Sequence, residues 1–385
     1  SPVETIHSDR GSAMSTDRDV LVYGASGYTG KLVAECLATR DIPFCMAGRD
    51  AARLEAARAV VEQRVGRSID ASLVTAENTV ESLLPLFQRV KVVINVAGPF
   101  MQLAWPVVET ALRAGCHYID TTGEQDWTIA VADKFGAAFA EKKLLLCPAT
   151  SYMWTAGALA AEVVLEDPGI DSLDILYQID NGLPSQASTK SFLRMICNET
   201  GQFYLEQNQY RNWPLDVMHD VFVPYRAMKM AAHPWGGGCE PVWFKDDPRV
   251  RNCRVLTQLA DHLRGGIVQA LEAFKQQAAH LPSDQREAWT NAVGAQMMDH
   301  EPPKDDLDVQ RSVIVCHGQG RQATRSFCLN VSAPYSWTGD LCAEAAQRLL
   351  RGQHQAVGFQ SAARAFGHRA LIAEFHRRGY CNLPE

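Results

Sequence analysis

The chain has 385 residues, 46% of them hydrophobic and 21% charged, with a formal net charge of −7. That balance excludes a disordered chain, offers no basic surface for nucleic acid or an anionic membrane, and suits two domains of roughly 100–200 residues each. No window reaches the roughly 18–20 uninterrupted apolar residues of a membrane span, so the expected location is cytoplasmic.

The elements follow in chain order. Residues 1–18 are polar and lack the apolar core of a signal peptide, so they read as a disordered leader with Met14 a candidate native start. Apolar runs and helical patterns then alternate from Asp19 to Thr150. Strands are expected at 20–23, 44–47, 92–96, 118–120 and 144–147, and helices at 28–39, after Asp50, after Pro106 and over 126–142. Strand–helix alternation at this spacing means crossover units and a parallel sheet.

The first strand runs into Gly24-Ala25-Ser26-Gly27-Tyr28-Thr29-Gly30. A glycine turn between a strand and a helix is the setting of a dinucleotide-binding loop. Gly24 turns the chain, Gly27 leaves room for a pyrophosphate, and Gly30 allows close packing of the helix. The second strand ends in Ala47-Gly48-Arg49, where NAD-preferring sites carry an acid for the ribose hydroxyl. Arg49 is a planar cation suited to a 2′-phosphate, so the expected cofactor is NADP(H). At the end of the strand over 92–96, Ala97-Gly98-Pro99-Phe100 lies over the cofactor crevice. Phe100 is either a wall of the nicotinamide pocket or a core aromatic.

The combination GASGYTG, AGR, VINVAGPF and GCHYIDTTGE resembles the saccharopine dehydrogenase-like oxidoreductases, bacterial trans-acting enoyl reductases among them. The likeness covers residues 19–124 and resumes at Tyr335-Ser336-Trp337-Thr338-Gly339. It implies NADP(H), with Ser26, Gly27, Tyr28 and Thr29 at the pyrophosphate and Arg49 at the 2′-phosphate. It also implies Ala97, Gly98, Pro99 and Phe100 along the nicotinamide, and Thr121, Thr122, Gly123 and Glu124 near the reacting carbon. The implied fold is α/β: a Rossmann-type parallel sheet domain (19–150), an inserted α+β substrate or dimerisation domain (151–334), and C-terminal helices (335–385) returning to the Rossmann domain. Two departures stand out. The loop after the 144–147 strand reads Pro148-Ala149-Thr150-Ser151-Tyr152-Met153-Trp154, unlike the Gly-Phe-Asp-Ser pattern of relatives. Ala76, Glu77 and Asn78 stand where an adenine-holding Asp is common.

Alternation is lost in the middle of the chain. A strand at 175–179, a helical stretch over 256–278 and a hairpin pairing 313–316 with 327–331 are expected there. Residues 192–244 are dense in Trp, Phe, Tyr and Met and suit either a hydrophobic ligand pocket or a core or dimer interface. Proton-donor candidates are Tyr152, His117, Tyr118 and Glu124, with Tyr152 preferred because it follows a strand's carboxyl end. Asp120 reads as an anchor for the Thr121–Thr122 turn. The eleven cysteines have no C-x-x-C spacing and read as reduced thiols, and no metal site is expected among the histidines. The leading expectation is hydride transfer to a C=C or C=N bond of a small hydrophobic metabolite. One alternative is an amino-acid-type dehydrogenase acting through an imine, whose carboxylated substrate would need arginines such as Arg194, Arg211 and Arg226. The other is a non-catalytic NADP(H) sensor. The expected partner is a small-molecule substrate, not nucleic acid or membrane, and a homodimer is left open.

Overall fold

The computed structural model describes residues 18–198, 201–214 and 217–385. Apart from Arg18, the leader expected over residues 1–18 lies outside them. The chain divides into two compact units. Unit 1 comprises the segment up to Thr122, Ala130–Tyr152 and Tyr335–Gly367, and unit 2 comprises Gly123–Ile129, Met153–Pro334 and His368–Glu385.

In unit 1, six strands are consecutive in sequence: β1 (Val20–Tyr23), β2 (Phe44–Gly48), β3 (Ala71–Thr75), β4 (Val92–Asn95), β5 (His117–Asp120) and β6 (Leu145–Cys147). With the two-residue strand Gly358–Phe359 they form a seven-stranded sheet in the order Gly358–Phe359, β6, β5, β4, β1, β2, β3. All its pairs are parallel. Every residue of β1, β2 and β4 is buried, so these strands read as apolar runs without alternation. Helix α1 (Tyr28–Thr39) follows β1, and α2 (Ala51–Val65) follows β2. The Asp50 side chain caps α2 by accepting from the Arg53 amide at 3.1 Å. The helix Trp105–Ala114 opens with Pro106 in its first turn and stops at Gly115, whose φ is +79°. Strand order reverses between β1 and β4, which makes their carboxyl ends the switch point where ligands of such sheets bind.

Unit 2 contains β7 (Ser172–Asp180), β8 (Phe203–Glu206), β9 (Gln209–Asn212), β10 (His219–Phe222), β11 (Lys229–Ala232), β12 (Asn252–Gln258), β13 (Arg311–Gln319) and β14 (Thr324–Ser332). Six of them form a mixed sheet in the order β14-β13-β7-β12-β8-β9, and β10–β11 is a separate hairpin. Val221, Val223, Met230 and Ala232 of the hairpin segment pack on Leu176, Leu256, Val313 and Val315 of the sheet. The helix expected over 256–278 begins later. Residues up to Gln258 form β12, because alternating Cys253, Val255 and Thr257 are buried beside β7, and the helix runs Asp261–Gln277. The C-terminal segment does not return whole to unit 1. Residues from His368 onward belong to unit 2, where Tyr380 O accepts from the Ser332 amide at 2.9 Å.

Candidate functional site

The three glycines of the β1–α1 turn are required for different reasons. Gly24 has φ +82°, and its amide donates to Ala47 O at 3.0 Å, tying the turn to the end of β2. A Cβ on Gly24 would lie 2.9 Å from the Ala97 Cβ, so the turn and the β4 loop touch across the switch point. A Cβ on Gly30 would lie 2.7 Å from backbone atoms of Gly24 and Ala25. The close approach at Gly30 is therefore to the turn itself rather than to the sheet. Gly27 is different: its Cβ would meet only Gly24 O, at 3.5 Å, and open space otherwise. Gly27 is the N-cap of α1, which has no side-chain cap and no acid in its first turn. Uncapped amides at the positive end of a helix dipole, beside an open glycine, suit a diphosphate. The Tyr28 ring packs edge-on against Tyr335, 5.0 Å between centroids. Ser26 and Thr29 are half-buried at the same turn.

Arg49 follows β2 directly, is exposed, and makes no hydrogen bond or ion pair among the described residues. Burial raises the pKa of the Tyr23 phenol, while Arg49 pulls it down and Glu77 pushes it up, so both charges act at the end of β1. The neighbouring acid, Asp50, is occupied as the cap of α2. The basic group that a 2′-phosphate needs is thus present and uncommitted.

At the carboxyl ends of β4, β5 and β6 lies a buried polar chain that the sequence reading did not assemble. Asn95 Oδ1 accepts from the Ala97 amide at 3.1 Å, and Asn95 Nδ2 donates to Tyr118 Oη at 3.0 Å. Tyr118 Oη donates in turn to Asp120 Oδ2 at 2.8 Å. Asp120 Oδ1 accepts the amides of Thr122, at 3.1 Å, and Ala149, at 2.9 Å. Asp120 does anchor its turn, and it anchors the loop after β6 as well. The available signal was Asn95, a polar residue closing an otherwise apolar buried strand. Pro99 starts the short helix Phe100–Leu103, and Phe100 is buried. The Thr122 side chain is buried too.

The proton-donor candidates fall in different places. Tyr152 is buried beyond the carboxyl end of β6, its amide donating to Thr338 Oγ1 at 2.9 Å and its ring edge-on to Trp337. His117 lies at the other edge of the sheet. It pairs with Val92 at the amino ends of the strands, opposite the cofactor edge where Asp120 pairs with Asn95. Its Nδ1 accepts the Leu145 amide at 3.0 Å, and burial beside His354 lowers its pKa to about 4. That edge lies opposite the carboxyl ends of the strands, where ligands of such sheets bind.

Glu124 belongs to unit 2 and is held there. Arg194 Nη1 lies 2.9 Å from its Oε1, and Ser191 donates to Oε2 at 3.1 Å. The same guanidinium pairs with Asp126 at 2.5 Å and with Glu287 at 2.9 Å. The Glu124 carboxyl is thus held within the ion-pair cluster of Arg194. Arg211 pairs with Glu206 and Arg226 with Asp180. The three arginines suggested for a carboxylated substrate are thus each committed to acids of unit 2. The aromatic segment is mainly core: Trp213, Trp235, Trp243 and Phe244 are buried, with Trp235 stacked on His233 at 3.8 Å. Phe222 and Tyr225 are exposed instead.

Unit 2 also holds a buried acid, Glu240, that carries no motif in the sequence. Tyr177 Oη donates to Glu240 Oε2 at 2.9 Å and accepts the Gly157 amide at 2.7 Å. The amides of Cys239 and Glu240 lie close enough to favour the carboxylate, yet Oε1 completes no hydrogen bond among the described residues. Burial dominates and pushes the Glu240 pKa up to about 8. Gly157 is obligatory, because a Cβ there would collide with both the carboxyl and the phenol. The eleven cysteines are all free thiols. No helix among the described residues is long and apolar enough to cross a membrane.

Residues 155–384, more than half of the chain, match the model described as a family of unknown function, DUF5938. The chain belongs to this DUF5938 family. Residues 20–140 match the saccharopine dehydrogenase NADP binding domain, and the cofactor of unit 1 is NADP(H). The chain is 30% identical over 140 residues to the lipid droplet localized protein of Caenorhabditis elegans, covering 35% of this chain and 33% of that one. It is 33% identical over 143 residues to the trans-acting enoyl reductase of Mycobacterium leprae, covering 35% and 34%. The matches thus span about a third of the length of these curated relatives. Among solved structures, apo saccharopine dehydrogenase (L-Glu forming) from Saccharomyces cerevisiae superposes with a TM-score of 0.61 at 12% identity, over 95% of this chain and 99% of that one. At that identity the likeness establishes the fold, in agreement with the Rossmann-type sheet and the second, mixed sheet.

Proposed function

We propose that this DUF5938 protein is an NADP(H)-dependent oxidoreductase that reduces an unsaturated bond, C=C before C=N, of a small hydrophobic metabolite. The observation that carries the reading is the pairing of an open glycine cradle at the N-terminus of α1 with the uncommitted Arg49 at the end of β2. Relatives named trans-acting enoyl reductases support reduction of a C=C bond. The commitment of Arg194, Arg211 and Arg226 to acids weighs against an amino-acid substrate with several carboxylates.

When bound, NADPH supplies the hydride. The turn amides of residues 26–30 hold the diphosphate, and Arg49 holds the 2′-phosphate. Ala97, Gly98, Pro99, Phe100 and Thr122 line the nicotinamide side. Tyr152 donates the proton, since a phenol O–H can act as general acid toward a developing anion. A cytosolic location and a homodimer belong to the same proposal, checked by cell fractionation and by light scattering.

The test uses NADPH deuterated at nicotinamide C4 with a panel of 2-enoyl thioesters and cyclic imines. Deuterium at the β-carbon of an enoyl product supports the reading, and deuterium at an imine carbon moves the chain to amine chemistry. Tight NADPH binding without transfer to any acceptor would leave the sensor function.

A further inference from the structure

We propose that Asn95, Tyr118 and Asp120 act as one positioning unit that sets the nicotinamide half of the cofactor site and leaves the adenine half untouched. The inference rests on the reading of unit 1 as an NADP(H) site. The sheet divides at the switch point: β1, β2 and β3 lie on one side with Arg49, and β4, β5 and β6 on the other. The polar chain runs wholly along the second side. Asn95 and Asp120 are the last residues of β4 and β5, and they stand in register.

All three residues are fully buried. Burying a carboxylate, an amide and a phenol is costly unless every group is paired, so a core with no other task would favour apolar residues. Here the partners are informative. The amides that the chain captures belong to Ala97, Thr122 and Ala149, one from each loop that leaves the nicotinamide-side strands. The Thr150 amide adds a fourth contact, donating to Asp120 O at 2.8 Å. Tyr118 links Asn95 to Asp120 through its hydroxyl and so couples the β4 loop to the other two. Ala97, at one end of the chain, is also the residue that touches Gly24 across the switch point. A shift of Asn95 therefore moves the surface on which the nicotinamide half lies, while the α1 turn and Arg49 keep their own supports. These are positioning residues, acting through backbone of the loops.

The test is the Tyr118→Phe variant of the full chain, titrated with NADPH and with adenosine 2′,5′-bisphosphate, which carries adenosine with the 2′-phosphate and one 5′-phosphate but no nicotinamide. NADPH affinity should fall roughly fivefold to tenfold, the scale of one buried hydrogen bond, with bisphosphate affinity within about twofold of the parent. If Tyr118→Phe does not fold, Asn95→Ala frees the Ala97 amide and should give the same split. Unchanged affinity for both ligands overturns the inference while leaving the cofactor reading intact. Equal loss for both also overturns it, since that is general damage to the domain. A parent protein that binds neither ligand defeats the cofactor reading and the inference with it.

Discussion

Replacing Arg49 by Ala isolates the contact that separates NADPH from NADH. The guanidinium follows β2 directly, is exposed, and is spent on no acid among the described residues, so a 2′-phosphate gains it without breaking an existing pair. Opposite unit charges about 4 Å apart attract by about 1 kcal/mol in bulk water and about 4 kcal/mol at the effective dielectric near a protein surface. Exposure places Arg49 toward the lower figure, and Glu77, which acts on the same Tyr23 phenol, reduces the local field further. Charge-assisted hydrogen bonds to the phosphate work in the opposite direction, at about 1.5–3 kcal/mol in all. The net expectation is about 1.4–2.8 kcal/mol, or roughly tenfold to a hundredfold tighter binding of NADPH than of NADH. Fluorescence titration of the parent and Arg49→Ala with both nucleotides measures it. NADPH affinity should collapse onto that of NADH in the variant, with NADH affinity unmoved. Equal affinities in the parent, or a preference that survives in Arg49→Ala, would refute the assignment of Arg49 to the 2′-phosphate.

Two glycines of the cradle should part company. Gly27→Val should fold normally and bind no NADPH, whereas Gly30→Ala drives a methyl into backbone at 2.7 Å and should cost about 1–3 kcal/mol of stability, read as a lower thermal midpoint. A Gly27→Val protein that binds NADPH normally would remove the turn from the site. Tyr152→Phe should lower turnover by about a hundredfold or more with NADPH affinity nearly unchanged, and a change within about threefold makes Tyr152 structural. Glu240 gives a stability profile. Its pKa rises from 4.5 to about 8 on folding, so between those values the folded protein holds a proton that the unfolded chain has lost. The stabilisation is complete below about pH 4.5, is lost as pH rises toward about 8, and levels off beyond, over a range on the order of a few kcal/mol. Glu240→Gln should flatten that slope in denaturant melts, and parallel profiles for parent and variant would show that Glu240 does not titrate there.

The features that the sequence determined alone are local. Apolar runs at β1, β2 and β4 and the spacing of Leu32, Val33 and Leu37 on α1 mark a parallel α/β domain, because burial on both faces leaves a strand no polar alternation. The glycine turn, the Asp50 cap and the Gly115 stop were legible for the same reason: each answers to the backbone of its own few residues. Tertiary structure decided what depends on pairing across long stretches of chain. His117 and Asp120 open and close one four-residue strand, and pairing with β4 sets the first beside Val92 and the second beside Asn95. Glu124 is written beside the turn motif but is captured by Arg194, 70 residues later. Gly157, Tyr177 and Glu240 look ordinary in a helix, a strand and the first turn of a short helix until folding joins them by hydrogen bonds. Periodicity reports which face of an element is buried. It carries no information on which distant side chain meets that face, and for this chain the assignment of candidate acids to structure or to chemistry turned on those meetings.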